Sequence, residues 1–481
     1  MLLHAIQIQS LNILLYEYLY LRASRKGQFI SKSKNHNIYI KMYIIVYLYL
    51  QMSTVMSTTA HNHDADLFRT EAQKVRHEIM ESADANRGKS GQILADKLVN
   101  YPVEVRAAVG KKDTIKRSIR RWKRGDALPE PKAAADIPCP LPDQYTKTPD
   151  DEEFLVYDSC DSDSRVLVFG SECGLRLLSD ANTWYMDGTH SSCPSQFQQL
   201  FCVRVICGDV FVTVVYAFLP GKTQQMYEEA LSSVLDACLL RDLRPSPSSV
   251  VADFKVGIHN AVRSIIGQHV SIQGCFYHLT QATWRRVQSE GLQAAYREDP
   301  DVHHFCGMLD GLAFLPIDLV PEGMAYVREV APEALGCIVD YFDATYVSGA
   351  YRTVLGNGRL RFRRTPPCFE PSVWNVHEVT INDAERTNNA CESWNNGFLS
   401  LVGHCHPSLW VAISCLQKDN AETETEAYRV ANGQPSKRRR KKNAVRHQAL
   451  LKKMCLRLTS GEYSVPDFLQ AIGRCVRLDR A

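Results

Sequence analysis

Three acidic residues stand where the chain could use them for chemistry. Asp187 closes the apolar run Trp184-Tyr185-Met186 and is followed by Gly188, so a carboxylate sits at a strand end beside a residue that lets a ligand approach the backbone. Asp253 repeats the arrangement after Val250-Val251-Ala252. Glu392 lies in the string Asn388-Asn389-Ala390-Cys391-Glu392-Ser393-Trp394-Asn395-Asn396, and on a helix Asn388, Glu392 and Asn396 share a face, the asparagines supporting the glutamate. Taken singly, an aspartate ending a strand is more often a turn former. Taken together, converging carboxylates repel one another unless a divalent cation neutralises them, and hard oxygen donors suit Mg²⁺ or Mn²⁺ rather than zinc.

For the acids to meet, the elements that carry them must be neighbours. Residues 183–186, 200–207 and 210–219 read as strands, the last two joined by the tight turn Gly208-Asp209. A helix over 223–240, a strand over 249–254, a helix over 255–266 and a strand over 270–277 follow. Three antiparallel strands and then strands alternating with helices describe an α/β fold, the mixed sheet of a ribonuclease H-like domain, better than a purely parallel sheet. In that sheet the first and fourth strands are adjacent, which brings Asp187 and Asp253 to one edge. Residues 280–380 read as a mostly helical insertion before a final helix around 385–401. A phosphatase reading of Met186-Asp187-Gly188-Thr189 fails, because that motif needs a second Asp two residues earlier and Tyr185 stands there.

Lys plus Arg (56) against Asp plus Glu (53) leaves a net charge of +3, which excludes a bulk polycation, and 45% hydrophobic residues exclude global disorder. All sixteen cysteines lie at or beyond Cys139, scattered through apolar segments, which fits a reducing compartment. The apolar stretches at 13–21 and 42–50 are too short for the ~20 residues of a membrane span, so no membrane partner is expected. Residues 1–56 are compositionally foreign to the rest and read as a mispredicted start. Residues 57–128 read as short helices; in the last, 111–124, Ile115, Ile119 and Trp122 form one apolar stripe. Its basic residues Lys116, Arg117, Arg120, Arg121, Lys123 and Arg124 are placed either to neutralise DNA phosphates or simply to be a solvated charged face. A proline-rich linker over 129–153 leads to the sheet domain, 154–420, and a basic tail, 421–481, whose run 437–442 reads as a nuclear localisation signal.

Five segments carry a resemblance: Tyr185-Met186-Asp187-Gly188-Thr189, Val251-Ala252-Asp253-Phe254, Cys275-Phe276-Tyr277-His278, Trp374-Asn375-Val376 and Arg386-Thr387-Asn388-Asn389-Ala390-Cys391-Glu392-Ser393-Trp394-Asn395. In this order they resemble Mutator-like element (MULE) transposases over residues 150–420. The resemblance implies a DDE-type transposase with a ribonuclease H-like core, in which Asp187, Asp253 and Glu392 match the acidic triad that holds Mg²⁺ or Mn²⁺. It also implies DNA (transposon ends and target) as partner, a homo-oligomer on that DNA, and a nuclear location. Cys275 and His278 match the family's Cys-x-x-His signature, whose proposed roles are to hold the site's edge or to contact DNA; the other reading is a buried Cys and a hydrogen-bonded core His. The string His61-Asn62-His63-Asp64 resembles the end of a FLYWCH zinc finger. That finger needs two upstream cysteines and none precedes Cys139, so His61 and His63 form an incomplete zinc site and zinc is a cofactor only if upstream sequence supplies the cysteines. The alternative function is a domesticated, catalytically silent DNA-binding or regulatory protein that keeps the fold.

Overall fold

The computed structural model describes residues 67–85, 90–124, 128–356, 359–434, 436 and 442–476. The atypical segment 1–56, the finger histidines His61 and His63, and residues 437–441 of the basic run lie outside the described residues, as do the side chains of Lys123 and Arg124. Residues 74–481 form one compact unit, and it holds the elements that position the site.

The described residues begin with four helices: α1 (Leu67–Ala85), α2 (Ser90–Leu98), α3 (Val103–Val109) and α4 (Lys112–Arg124). Val75, Ile79, Ile93, Leu94, Val105, Val109, Ile115 and Ile119 are buried, at the spacing that gives each helix one apolar face. Arg76 Nε donates to the Val109 carbonyl at 2.6 Å and so satisfies an acceptor in the last turn of α3. The apolar stripe of α4 is shorter than expected: Ile115 and Ile119 are buried, but Trp122 in the last turn is 47% exposed.

Seven strands form one sheet: β1 (Leu155–Asp158), β2 (Leu167–Phe169), β3 (Thr183–Thr189), β4 (Gln199–Cys207), β5 (Val210–Leu219), β6 (Ser249–Ala252) and β7 (Ser271–Gly274). Their spatial order is β1-β2-β5-β4-β3-β6-β7. Pairing is antiparallel from β1 through β3 and parallel from β3 to β6 and β7, so the fold is a mixed α/β sheet. Helices α5 (Glu172–Asp180), α6 (Gln224–Leu240) and α7 (Val256–Ile265) cover one face through Leu175, Tyr227, Leu231, Val234, Ile258 and Val262, packed on Trp184, Met186, Val250 and Ala252. The strand expected over 270–277 stops at Gly274, because Cys275 caps α8 (Phe276–Ser289) and the Phe276 ring turns into a helical layer against Phe314.

That layer comprises α8, α9 (Gln293–Glu298), α10 (Pro300–Gly311), α11 (Val320–Glu329) and α12 (Gly336–Phe342). The insertion is not all helix, for it contains the hairpin β8 (Ala350–Gly356) and β9 (Arg359–Thr365). Two short helices, α13 (Pro371–Trp374) and α14 (His377–Ile381), lead to α15 (Asn389–Val402) and α16 (Leu409–Ala431). These last two cover the second sheet face through Trp394, Phe398, Trp410, Ile413 and Leu416, packed on Phe169, Leu200, Cys202, Tyr216 and Phe218.

The segment expected as a basic tail contains α17 (Lys442–Thr459) and α18 (Val465–Val476). Leu451, Met454, Cys455 and Leu458, with Phe468, Leu469 and Ile472, close the core of the helical layer, because their three-to-four-residue spacing gives these basic helices an apolar side. Cys139 and Cys160 are disulfide-bonded, a cross-link that the scattered cysteine spacing did not suggest; the other cysteines described are free. No described helix is long and apolar enough to cross a membrane.

Candidate active site

The sheet register places the two aspartates. In the parallel pair β3–β6, Tyr185 lies opposite Val251, and side chains two residues apart on a strand emerge on the same face. Tyr185 and Val251 pack with Cys391 of α15, whereas Trp184, Met186, Val250 and Ala252 face the opposite helical layer. Asp187 and Asp253 therefore leave adjacent strand ends on the side that α15 covers.

α15 is fastened there at its first residues. Asn388, completely buried, caps its start and donates from Nδ2 to the Met186 carbonyl at 2.9 Å, while its backbone N–H points to Cys275 Sγ at 3.0 Å. Arg204, buried on β4, donates to the carbonyls of Ala390 and Phe211 and to the Thr213 hydroxyl, tying the same helix end to β4 and β5. Asn395 Nδ2 donates to Asp187 Oδ2 at 2.9 Å, and the Gly188 N–H donates to Oδ1 at 2.8 Å. Gly188 carries no side chain because a Cβ would collide with Gln199 Oε1.

A lysine and a histidine stand among the acids. Lys255 Nζ is 3.3 Å from Asp253 Oδ2. The His278 ring spans two carboxylates, with Nδ1 3.7 Å from Asp253 Oδ1 and Nε2 3.6 Å from Glu392 Oε1. Asp253 also accepts the Phe254 N–H at Oδ1 (2.6 Å), and His259 Nε2 donates to its carbonyl at 2.9 Å.

This environment separates the two aspartates. Burial pushes Asp187 above the usual carboxylate range against the pull of Lys255 and His278, and the neighbouring Asp253 adds to the rise. Burial acts on Asp253 in the same sense, but His278, Lys255 and the Phe254 N–H outweigh it and hold the carboxyl below its ordinary value. Burial disfavours the Lys255 ammonium, yet Asp253 and Asp187 raise its pKa overall. Burial lifts the Cys275 thiol to about 12, so it is neutral and neither a nucleophile nor a thiolate ligand at ordinary pH.

The structure brings Asp187, Asp253, Glu392, His278, Cys275 and Asn388 together. Asn396 is corrected: it is exposed, and Asn395 makes the contact instead. Two turns separate Asn388 from Asn395, which nearly restores the same direction, whereas each further residue rotates by about 100° away from the sheet. Sequence reasoning also missed Lys255; its only signal was a lysine two residues after Asp253 at a helix start. Arg117, Arg120 and Arg121 are exposed and Lys116 half-buried on α4, and no described contact joins them to the acids.

As a cation site, the donor set has the all-oxygen chemistry that Mg²⁺ or Mn²⁺ prefers. The ligand atoms of the three acids do not all lie within 4.8 Å of one another; among the described residues only Cys139, Asp158 and Cys160 meet that distance. Those three do not form a metal site, because the cysteines are bonded to each other and Arg165 pairs with Asp158 at 2.6 Å. The acidic triad thus fits a divalent ion in donor type, and Lys255 pairs with one of its carboxylates.

Residues 183–282 match the MULE transposase domain, a span running from β3 into α8 that includes Asp187, Asp253, Cys275 and His278 and stops short of Glu392. No curated protein matches the chain.

Proposed function

From the MULE transposase domain at residues 183–282, we propose that the chain is a DDE-type transposase that cuts and joins DNA phosphodiesters, with Asp187, Asp253 and Glu392 as its acidic triad. The observation that carries this reading is the β3–β6 register, which sets Asp187 and Asp253 side by side beneath the helix bearing Glu392. Three antiparallel strands followed by two parallel ones, in the order β5-β4-β3-β6-β7, support a ribonuclease H-like core.

Mg²⁺ or Mn²⁺ held by the three carboxylates would stabilise the attacking and leaving oxygens of an in-line displacement. The chain's own residues prepare that geometry. Asn395 and the Gly188 N–H orient Asp187, Asn388 sets the distance between α15 and β3, and His278 links Asp253 to Glu392. Lys255 carries a positive charge suited to a non-bridging phosphate oxygen. No protein nucleophile is needed, which agrees with the neutral Cys275. The Cys-x-x-His pair divides its work: the cysteine anchors the α15 start and the histidine faces the acids.

The exposed arginines of α4 are suited to DNA phosphates, and assembly as a homo-oligomer on transposon ends and nuclear import through the 437–442 run complete the proposal. Zinc enters only if upstream cysteines complete the finger of His61 and His63. A catalytically silent DNA-binding protein is the second reading, and it draws on the Lys255–Asp253 ion pair, which ties up one carboxylate of the triad. The test is Mn²⁺- or Mg²⁺-dependent nicking of a plasmid carrying terminal inverted-repeat DNA. Wild type should nick and Asp253→Ala should not; equal activity, or none in either, refutes the enzyme.

A further inference from the structure

We propose that the β8–β9 hairpin is a DNA-gripping arm that enters a groove of duplex DNA, its arginine face on one phosphate wall and its apolar face against sugars and base edges. The inference rests on the reading of the chain as DNA-acting and names the part of the molecule that holds the DNA beside the acids.

The hairpin's register sorts its residues onto two faces. Thr353 pairs with Phe362 and Leu355 with Leu360, while Arg352 pairs with Arg363 and Arg361 lies opposite Val354. By strand alternation Leu355, Leu360, Phe362 and Tyr351 share one face and Arg352, Arg359, Arg361 and Arg363 the other. Residues 350–365 contain five arginines and no acid. Tyr351, Leu355, Leu360 and Phe362 are 73%, 75%, 75% and 81% exposed, and the four arginines are exposed with no ion pair among the described residues. An isolated two-stranded ribbon with a naked apolar face is marginal in water, so its sequence is suited to a surface that accepts both faces.

A DNA groove does so. Side chains on both faces make a ribbon about 10 Å thick, and the major groove is about 12 Å wide and admits one. Alternate residues on a strand lie about 6.8 Å apart, twice the axial rise of about 3.4 Å per phosphate along one DNA strand. Arg359, Arg361 and Arg363 therefore form a row of charges long enough to reach more than one phosphate of the groove wall.

The roots of the arm lie at the catalytic loop. Phe254, next to Asp253, packs edge-on against Tyr346 at 5.8 Å and Phe369 at 5.1 Å, residues that precede β8 and follow β9. Trp374 Nε1 donates to the carbonyls of both, and Gly349, at φ 77°, closes the base where a Cβ would strike the Thr365 carbonyl. DNA held by the ribbon is thereby registered to the Asp253 strand end.

The experiment measures binding of the full chain to a short labelled duplex by fluorescence anisotropy, between about 50 and 200 mM salt. Replacing Arg352, Arg359, Arg361 and Arg363 by Ala should reduce the slope of log K against log salt by roughly 3 to 4, at ~0.9 per phosphate released. The same four changed to Lys should keep the slope. Leu360→Ser with Phe362→Ser should weaken binding several-fold at every salt with the slope unchanged. A slope unaltered by the four alanines overturns the proposal. So does a serine variant whose only change, by sedimentation, is loss of self-association, since the ribbon would then join copies of the chain. The anisotropy is read on the full chain without divalent cation and reports binding alone, so failure of the catalytic reading, which the nicking assay reports, remains distinguishable.

Discussion

Replacing Asn388 by Ala isolates the contact on which the triad's geometry depends. The side chain is completely buried, and its Nδ2 makes one 2.9 Å bond to the Met186 carbonyl, one residue before Asp187. Losing a donor to a buried carbonyl costs about 1–3 kcal/mol. Asn388 Oδ1 is itself buried with no hydrogen-bond partner, and its removal offsets part of that cost. A net loss of about 1–2 kcal/mol follows, read as a lower urea midpoint at unchanged slope. The backbone bond from Asn388 to Cys275 survives the substitution, so α15 stays docked and the protein folds. Glu392, one turn on, loses its fixed distance to Asp187, and a displacement of about 1 Å at a reacting site can cost ~10²-fold in rate. Asn396→Ala is the control: exposed on the same helix, it should change stability by less than about 0.5 kcal/mol and leave nicking intact. Equal midpoints and equal nicking rates for the two variants would refute the reasoning.

Three further outcomes are expected. Arg165→Met strips the partner from Asp158, a pair 3% and 9% exposed joined at 2.6 Å and 2.9 Å, and should cost about 3–5 kcal/mol in urea unfolding, while removing both charges should recover only part of it, since the Ile137 and Pro138 carbonyls lose the same guanidinium. Gly188→Ala should cost about 1–3 kcal/mol and depress nicking, because Gln199, which the new methyl would strike, is held by the Gly221 carbonyl and the Tyr227 hydroxyl; a melting curve identical to wild type would contradict this. Asp419, accepting from Tyr216 and Trp394, has its pKa raised by burial against those two bonds. Its contribution is fully present below the unfolded carboxylate value and is lost as pH rises through the raised folded value, so Asp419→Asn should gain in midpoint relative to wild type from about pH 4 toward neutrality. A difference independent of pH would count against that assignment.

Much of the site was legible because it rests on local chemistry. The strand over 210–219 has its observed bounds, since a turn glycine and a run of Val and Phe leave little choice of ends. Asp187 and Asp253 are recognisable as acids that end apolar strands, and the strand order already makes those strands neighbours. The strands β1 and β2, four and three residues long, carry too short a pattern to read. The β8–β9 ribbon falls in a region that reads as mostly helical, yet the alternation of Arg359, Arg361, Arg363 and Arg364 already marks either a DNA path or the exposed face of a strand. Of the helices beyond 442, the first was concealed by Lys442, Arg446, Lys452, Lys453 and Arg457, which interrupt its apolar positions, and the second, with Arg474 as its one basic residue, was absorbed into the same tail.

Residue types and spacing by themselves determined the class of chemistry: three oxygen donors, two on strands of one sheet and one on a helix, beside a glycine and a Cys-x-x-His pair. Only the tertiary structure decided which neighbours tune them. Lys255, two residues beyond Asp253, was set against that carboxylate by the strand-to-helix turn, whereas His278 came to lie between Asp253 and Glu392, Asn395 displaced Asn396, and Arg204 and Asn388 fastened the glutamate's helix through contacts that span separations no local period records. A period describes which way a side chain points along its own element; the charge it meets there depends on how distant elements pack.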